Sequence, residues 1–192
     1  MDNLAYRIPG KCVLFGEWAV LEGAPACGIP LKKFLTIYAQ EDPSLKSPSL
    51  CTPSDWANLV FHYFKKRSSF QDKPWKVSIE RSWDLKEGLG SSSAIFLGFA
   101  KLFQAEMNFK KLRRSLIELQ NGFGSGIDLA ISFSEKPIRF ENNNFEEIPH
   151  FKIPKNITLW HTGEKWSTSQ AAKELFLEKT LSSSQALDQI AW

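Results

Sequence analysis

The residues of this sequence best suited to chemistry lie in two glycine-rich segments. The first, here called the first glycine loop, covers residues 86–94, reads K-E-G-L-G-S-S-S-A and runs directly into the apolar segment 95–103. Glycines let a backbone approach an anion closely, and serines can cap the first N–H groups of a helix. A helix that begins in this way can hold a phosphate group. A Gly-Ser turn that merely starts a buried helix has the same composition, so for this segment alone both interpretations stay open.

The first glycine loop is not the common ATPase phosphate loop. That motif, G-x-x-x-x-G-K-[ST], requires a lysine after its second glycine, and here a serine stands at that position. If the loop binds phosphate, it does so as a phosphate loop of another type.

The second glycine loop, residues 121–130, reads N-G-F-G-S-G-I-D-L-A and carries an acid into an apolar segment. Burying a lone carboxylate costs several kcal/mol unless it is paired. The pattern therefore predicts a partner for Asp128. The alternative is an aspartate that caps a helix starting at Leu129.

Hydrophobic periodicity predicts the elements that position these loops. Alternating or apolar runs predict strands over 4–8, 12–15, 35–39, 77–80 and 157–160, with a turn at Pro9-Gly10. Helical spacing predicts helices over 56–64 with Ser54 as N-cap, over about 92–104, over 112–119 and over 171–179. Strands at 138–140 and 145–148 form a predicted hairpin, with asparagines 142–144 as its turn.

Composition favours a globular protein over several other classes. With 192 residues, 43% hydrophobic and 23% charged, the chain can bury a sizeable core. A net charge of +3 does not favour a nucleic-acid partner, and three widely spaced cysteines favour neither zinc nor a disulfide framework. The sequence shows no signal peptide and no apolar run near the roughly 20 residues that span a membrane. We expect a soluble, cytoplasmic protein with no membrane partner.

Three segments, in order, resemble the motifs of the GHMP kinases, which phosphorylate galactose, homoserine, mevalonate and phosphomevalonate. Residues 9–23, P-G-K-C-V-L-F-G-E-W-A-V-L-E-G, resemble the first motif of that family. Residues 88–94 resemble its phosphate-binding motif, and residues 124–128 resemble the segment with its catalytic aspartate. Within the family the motifs are most similar to phosphomevalonate kinases, since mevalonate kinases usually carry a histidine at the position of Trp18.

The resemblance implies a fold and a domain organisation. It implies an α+β ATP-binding domain over residues 1–154, with a mostly antiparallel sheet and helices on one face. Residues 155–192 would be the start, or a remnant, of the family's C-terminal domain. Nothing after Thr180 resembles the third glycine-rich motif, so we expect a fragment, a shortened paralogue, or a homodimer that supplies what is missing.

The resemblance also implies cofactors and site residues. ATP and Mg²⁺ are the expected cofactors, and Ser92 and Glu118 are the expected metal ligands. Lys11 and Asp128 would form the catalytic ion pair at the acceptor. The residues expected to bind the nucleotide are Lys86, Gly88, Leu89, Gly90, Ser91, Ser92 and Ser93.

The implied function is ATP-dependent phosphorylation of a small-molecule acceptor, phosphomevalonate or mevalonate, in isoprenoid precursor synthesis. Transfer of a γ-phosphoryl group needs a cradle for phosphates, Mg²⁺ and groups that hold the acceptor in line, and the segments above supply these types of residue. The alternative is a catalytically weak GHMP-like module that binds nucleotide or a protein without turnover.

Overall fold

A single sheet organises the part of the chain that the structure describes. This computed structural model describes residues 3–51, 54–84 and 87–152, and six strands of this part form the sheet. The strands are β1 (Asn3–Phe15), β2 (Ala26–Glu41), β3 (Ser49–Leu50), β4 (Trp75–Arg81), β5 (Ile138–Glu141) and β6 (Asn144–Glu147). A short 3₁₀ helix, Ala19–Glu22, lies in the connection between β1 and β2.

The long strand β2 is the centre of the sheet. It pairs with β1 along one edge, and its other edge is shared by β4 at residues 35–41 and β5 at residues 26–28. These pairings and the β5–β6 hairpin are antiparallel, whereas the short β3 runs parallel to β4. The sheet is therefore mostly antiparallel, as predicted.

Four helices accompany the sheet in the described residues: α1 (Asp55–Lys65), α2 (Ser91–Leu102), α3 (Phe109–Leu119) and α4 (Ile127–Ser134). The Ser54 hydroxyl accepts a hydrogen bond from the backbone N–H of Ala57, which confirms the predicted N-cap of α1. Asn108 caps α3 in the same way, through the N–H of Lys111. Both helices thus begin where a short polar side chain can satisfy one of their first N–H groups.

Two glycines let helices approach the sheet closely. A Cβ at Gly98 of α2 would lie 2.5 Å from Cδ1 of Ile37, and one at Gly28 of β2 would lie 2.2 Å from Cδ1 of Ile131 in α4. Ile37 and Ile131 are fully buried. Because neither position has room for a side chain, the backbone of α2 packs directly on the Ile37 side chain of the sheet, and Ile131 of α4 packs directly on the backbone of β2.

The structure confirms the α+β class and corrects several predicted boundaries. The predicted turn at Pro9-Gly10 is wrong, because β1 continues through these residues to Phe15. The register of its pairing with β2 shifts between Pro9 and Lys11. The helix after the first glycine loop begins at Ser91, and the hairpin of β5 and β6 is present with Asn142 and Asn143 in its turn. The predicted elements at 157–160 and 171–179 and the domain boundary near 155 lie outside the described residues.

Within the described ranges, no helix combines the length and the apolar character needed to cross a bilayer.

Candidate active site

An ion pair joins the strand β1 to the helix α4. Nζ of Lys11 lies 3.0 Å from Oδ1 of Asp128. Lys11 is only 8% exposed, whereas about a third of the Asp128 side chain, 35%, is accessible. The ammonium is thus enclosed by the protein, and the carboxylate has one side open to a ligand.

The position of Lys11 follows from an irregularity in the pairing of β1 with β2. Pro9 pairs with Phe34 and Lys11 with Pro30, so that Gly10 alone lies opposite three residues of β2. The ladder is therefore interrupted at Gly10, and it resumes where Lys11 lies opposite Pro30, which has no N–H to donate. The backbone groups of β1 at this point are available to other elements.

Two other elements take up these backbone groups. The N–H of Lys11 donates to the carbonyl of Leu89 in the first glycine loop, at 3.1 Å. The carbonyl of Pro9 accepts a hydrogen bond of 3.1 Å from the hydroxyl of Ser132, a fully buried residue of α4. Ser132 lies one turn beyond Asp128 on the same helix face. The irregular segment of β1 therefore holds both the glycine loop and the helix that carries the acid.

Gly90 places the start of α2 against Lys11. It is the N-cap residue, with a φ of 80°, and a Cβ on it would lie 2.7 Å from Cγ of Lys11. Any side chain at position 90 would be strained and would displace the lysine. The interpretation of the serines as helix caps is wrong, because this glycine occupies the cap and no side chain caps the helix.

The three serines of the first glycine loop have different environments. Ser91 accepts a hydrogen bond of 3.0 Å from the indole N–H of Trp83, and Ser93 is buried. Ser92 is exposed, and its carbonyl accepts a hydrogen bond of 3.0 Å from the indole of Trp56. Of the three hydroxyls, that of Ser92 is the one most accessible to a ligand.

The beginning of the first glycine loop is anchored on its other side. Glu87 forms an ion pair of 2.6 Å with Lys33 and accepts a hydrogen bond from the N–H of Asp84. Gly88 is exposed, and a Cβ placed on it would meet no atom within 4 Å. The contacts of Glu87 thus anchor the loop to the protein, and the space next to Gly88 is open. Lys86, another expected nucleotide contact, lies outside the described residues.

Asp128 is inside the first turn of α4. The helix begins at Ile127 with Gly126 as its N-cap, so the alternative of an aspartate capping a helix at Leu129 is wrong. As the sequence predicted, the carboxylate has a charged partner. A carboxylate in the first turn also lies at the positive end of the helix dipole.

Glu118 is not brought into this site by any described contact. It is exposed near the end of α3. In the part of the chain that the structure describes, no three His, Cys, Asp or Glu side chains gather as a metal-binding group. Its expected role as a metal ligand therefore stays a prediction.

The electrostatics of the pair favour a charged lysine. Burial by itself lowers the pKa of Lys11, but the charge and hydrogen bond of Asp128, with a smaller contribution from Glu17, more than offset this effect. The pKa of Lys11 is raised above its ordinary value. The site thus holds a permanent positive charge beside the carboxylate at neutral pH.

The arrangement suits the transfer of an anionic group. The first N–H groups of α2 carry no side-chain cap, an exposed hydroxyl stands at Ser92, and Lys11 lies directly behind Gly90. These groups fit the phosphates of a nucleotide with Mg²⁺. Asp128 adds a carboxylate that can orient an acceptor or take its proton. Sequence reasoning missed Trp56, Trp83 and Ser132, whose contacts with this site have no periodic signal.

Solved structures define the class of fold. Mevalonate kinase of L. major, solved in complex with R-mevalonate, superposes with a TM-score of 0.71 at 16% identity, over 97% of this chain and 64% of that one. Streptococcus pneumoniae phosphomevalonate kinase superposes with a TM-score of 0.60 at 18% identity, over 73% of this chain and 48% of that one. The fold is that of the N-terminal domain of the GHMP kinases.

Sequence comparison finds mevalonate kinases among the similar proteins. The mevalonate kinase of Thermococcus onnurineus is 26% identical over 196 aligned positions, which cover 84% of this chain and 58% of the relative. The mevalonate kinase of Pyrococcus furiosus is also 26% identical, with the same coverage. No protein-family model matches the sequence. The predicted resemblance to the GHMP kinases is confirmed, and the chain spans a little over half the length of these relatives.

Removing either member of the ion pair is expected to have unequal effects on stability. Asp128→Asn leaves a buried ammonium without its partner, which costs about 1–3 kcal/mol. Lys11→Met leaves a carboxylate that water can reach, and we expect a smaller loss. Urea denaturation of both variants at pH 7 measures the difference. Equal losses would contradict the enclosed position of Lys11.

The penalty of Asp128→Asn is also expected to shrink as the pH rises. In the wild type the raised pKa of Lys11 means that its stabilising effect is complete below the ordinary lysine value of about 10.4 and is lost above it. In the variant, burial alone lowers the pKa of Lys11, so the unfolded chain binds the proton more tightly and stability rises with pH. Urea denaturation should show a smaller difference in the free energy of unfolding between the wild type and Asp128→Asn at pH 10 than at pH 7. A larger difference at pH 10 would contradict this prediction.

Proposed function

We propose that the chain is an ATP-dependent phosphotransferase that acts in the cytoplasm on a small-molecule acceptor of the mevalonate pathway. The observation that carries this proposal is that Lys11 makes three contacts. It forms an ion pair with Asp128, its N–H donates to the carbonyl of Leu89, and Gly90 packs on its side chain. One residue thereby joins a phosphate-binding loop to an acid.

The first glycine loop binds the phosphates in this proposal. The exposed Gly88 and the first N–H groups of α2 face the anion, and Lys11 supplies a positive charge that its raised pKa maintains. Ser92 would hold Mg²⁺ through its exposed hydroxyl, and Glu118 is proposed as a second ligand. When bound, MgATP supplies the transferable phosphoryl group and the metal neutralises its developing charge.

Asp128 and Lys11 act at the acceptor. If the acceptor is a hydroxyl group, Asp128 accepts its proton, and the ion pair with Lys11 fixes the direction of the carboxylate. If the acceptor is a phosphate, the nucleophile is already an anion. Lys11, and Lys86 by its position in the loop, then matter more through their charge than Asp128 does as a base.

The acceptor class is supported by both the motifs and the relatives. The similarity to the mevalonate kinases of Thermococcus onnurineus and Pyrococcus furiosus supports mevalonate as the acceptor. The tryptophan at position 18, where mevalonate kinases usually carry a histidine, favours phosphomevalonate. Trp18 directly precedes the 3₁₀ helix that follows β1, and it is 39% exposed. We therefore propose these two acceptors and no other.

Binding of MgATP is expected to depend on the first glycine loop. Gly90→Val should abolish binding measured by calorimetry at millimolar ATP, because the new side chain collides with Lys11 and disfavours the left-handed backbone of this residue. Ser92→Ala keeps the fold and should weaken binding roughly tenfold, the equivalent of one charge-assisted hydrogen bond. Ser69→Ala, at an exposed serine elsewhere, is the matched control.

Wild-type protein that does not bind ATP would contradict the proposed site. Binding that both loop variants leave unchanged, with circular dichroism showing that they are folded, would place the nucleotide elsewhere.

Release of ADP in the presence of an acceptor tests the reaction itself. We expect turnover with mevalonate or phosphomevalonate and none with homoserine or galactose. Asp128→Asn should lower kcat by roughly 10²-fold or more, as the loss of a base or of a positioning carboxylate does. The exposed Asp72→Asn should leave the rate unchanged.

A chain that binds MgATP but releases no ADP with any acceptor would support the second candidate function, a nucleotide-binding module without turnover. Release that is equally fast with asparagine at position 128 would show that the ion pair is not catalytic.

A further inference from the structure

A second basic residue, Arg113 of α3, lies beside the loop that leads to Asp128. Its Nε donates a hydrogen bond of 2.7 Å to the carbonyl of Ser125. Its Nη2 donates to the side-chain oxygen of Asn143, in the turn between β5 and β6. One guanidinium therefore links three segments that are distant in the sequence.

The side chain of Arg113 also covers Gly126. A Cβ at that glycine would lie 2.8 Å from Cγ and 2.9 Å from Nε of the arginine. Gly126 is the N-cap of α4, with a φ of 87°, and Asp128 follows two residues later. The Arg113 side chain thus makes two contacts with the turn before Asp128: it donates a hydrogen bond to Ser125, and it packs against Gly126.

Arg113 is suited to hold a backbone segment. Desolvation lowers the pKa of its guanidinium, yet an arginine remains charged throughout the working range of a protein. Its planar group presents donors in fixed directions, so two acceptors from different segments can be held at once. The next residue, Arg114, is exposed.

We propose that Arg113 is a positioning residue for Asp128: it fixes the second glycine loop so that the first turn of α4 directs the carboxylate to Lys11. The inference rests on the proposed function only where catalysis is measured. The ion pair itself can be followed without any substrate.

A double-mutant cycle on the ion pair tests this role in the full chain. Thermal unfolding of the wild type, Lys11→Met, Asp128→Asn and the double variant gives the coupling between the two residues. The same cycle is repeated with Arg113→Met. We expect this background to lose about half of the coupling or more, since contacting residues couple only while their geometry is kept. Arg114→Met, which removes the same charge from an exposed position of α3, should preserve the coupling.

A residue that only stabilises the fold would lower all four melting temperatures equally and leave the coupling unchanged; that result would overturn the proposal. Equal losses of coupling with Arg113→Met and Arg114→Met would also overturn it, because the charge of the helix rather than the contact would then matter. Arg113→Lys, which keeps the charge and the aliphatic stem over Gly126, is expected to retain more coupling than Arg113→Met. It replaces Arg113→Met in the cycle, with a smaller expected loss, if the latter does not fold.

Kinetics give a second readout if the chain turns over. Arg113→Met should lower kcat about tenfold or more with the KM for ATP within about twofold, because the acid moves while the nucleotide loop stays in place. A raised KM with an unchanged kcat would overturn the proposal. If the wild type is inactive but the coupling is present and depends on Arg113, the proposed function fails and the positioning role stands.

Discussion

The ion pair between Lys11 and Asp128 is the constraint on which the site depends. An ammonium group that is nearly buried needs a carboxylate within hydrogen-bonding distance, because an unpaired charge in the interior is strongly unfavourable. The ion pair holds the first turn of α4 against β1. The hydrogen bond from Ser132 to the carbonyl of Pro9, one turn further along the same helix, repeats the attachment. The helix is therefore held to β1 by two polar contacts in an otherwise apolar interface.

The same short segment of β1 also holds the first glycine loop. The pairing of this segment with β2 is interrupted at Gly10, and the N–H of the next residue, Lys11, donates to the carbonyl of Leu89 and so fixes the first glycine loop. The loop is attached to the protein through this bond and through the indoles of Trp83 and Trp56, while Gly88 remains open to solvent. The loop is thus held in place by protein contacts on one side and open to solvent on the other. A preorganised binding site needs this arrangement, because its geometry must exist before the ligand binds.

Sequence reasoning predicted what local patterns determine. The N-cap at Ser54, the asparagine-rich turn of the β5–β6 hairpin and a partner for Asp128 follow from side chains that act within a few residues or from the cost of a lone charge. Pro9-Gly10 was predicted as a turn because that dipeptide is typical of turns, but the partner strand β2 decides that the chain continues. The roles of Ser132 and Arg113 could not be predicted, since each depends on a backbone carbonyl far away in the sequence, and any residue type could have supplied that carbonyl.

We propose that Lys11 connects a phosphate-binding loop to a catalytic acid, Asp128. The most direct test of this claim is amide NMR mapping with a non-hydrolysable ATP analogue and Mg²⁺. We expect the largest chemical-shift changes at the amides of residues 88–93. A smaller change is expected at the amide of Lys11, which follows the loop through its bond to Leu89, and at Asp128. Changes that are absent from the first glycine loop, or that are confined to a surface remote from Lys11 and Asp128, would contradict the claim.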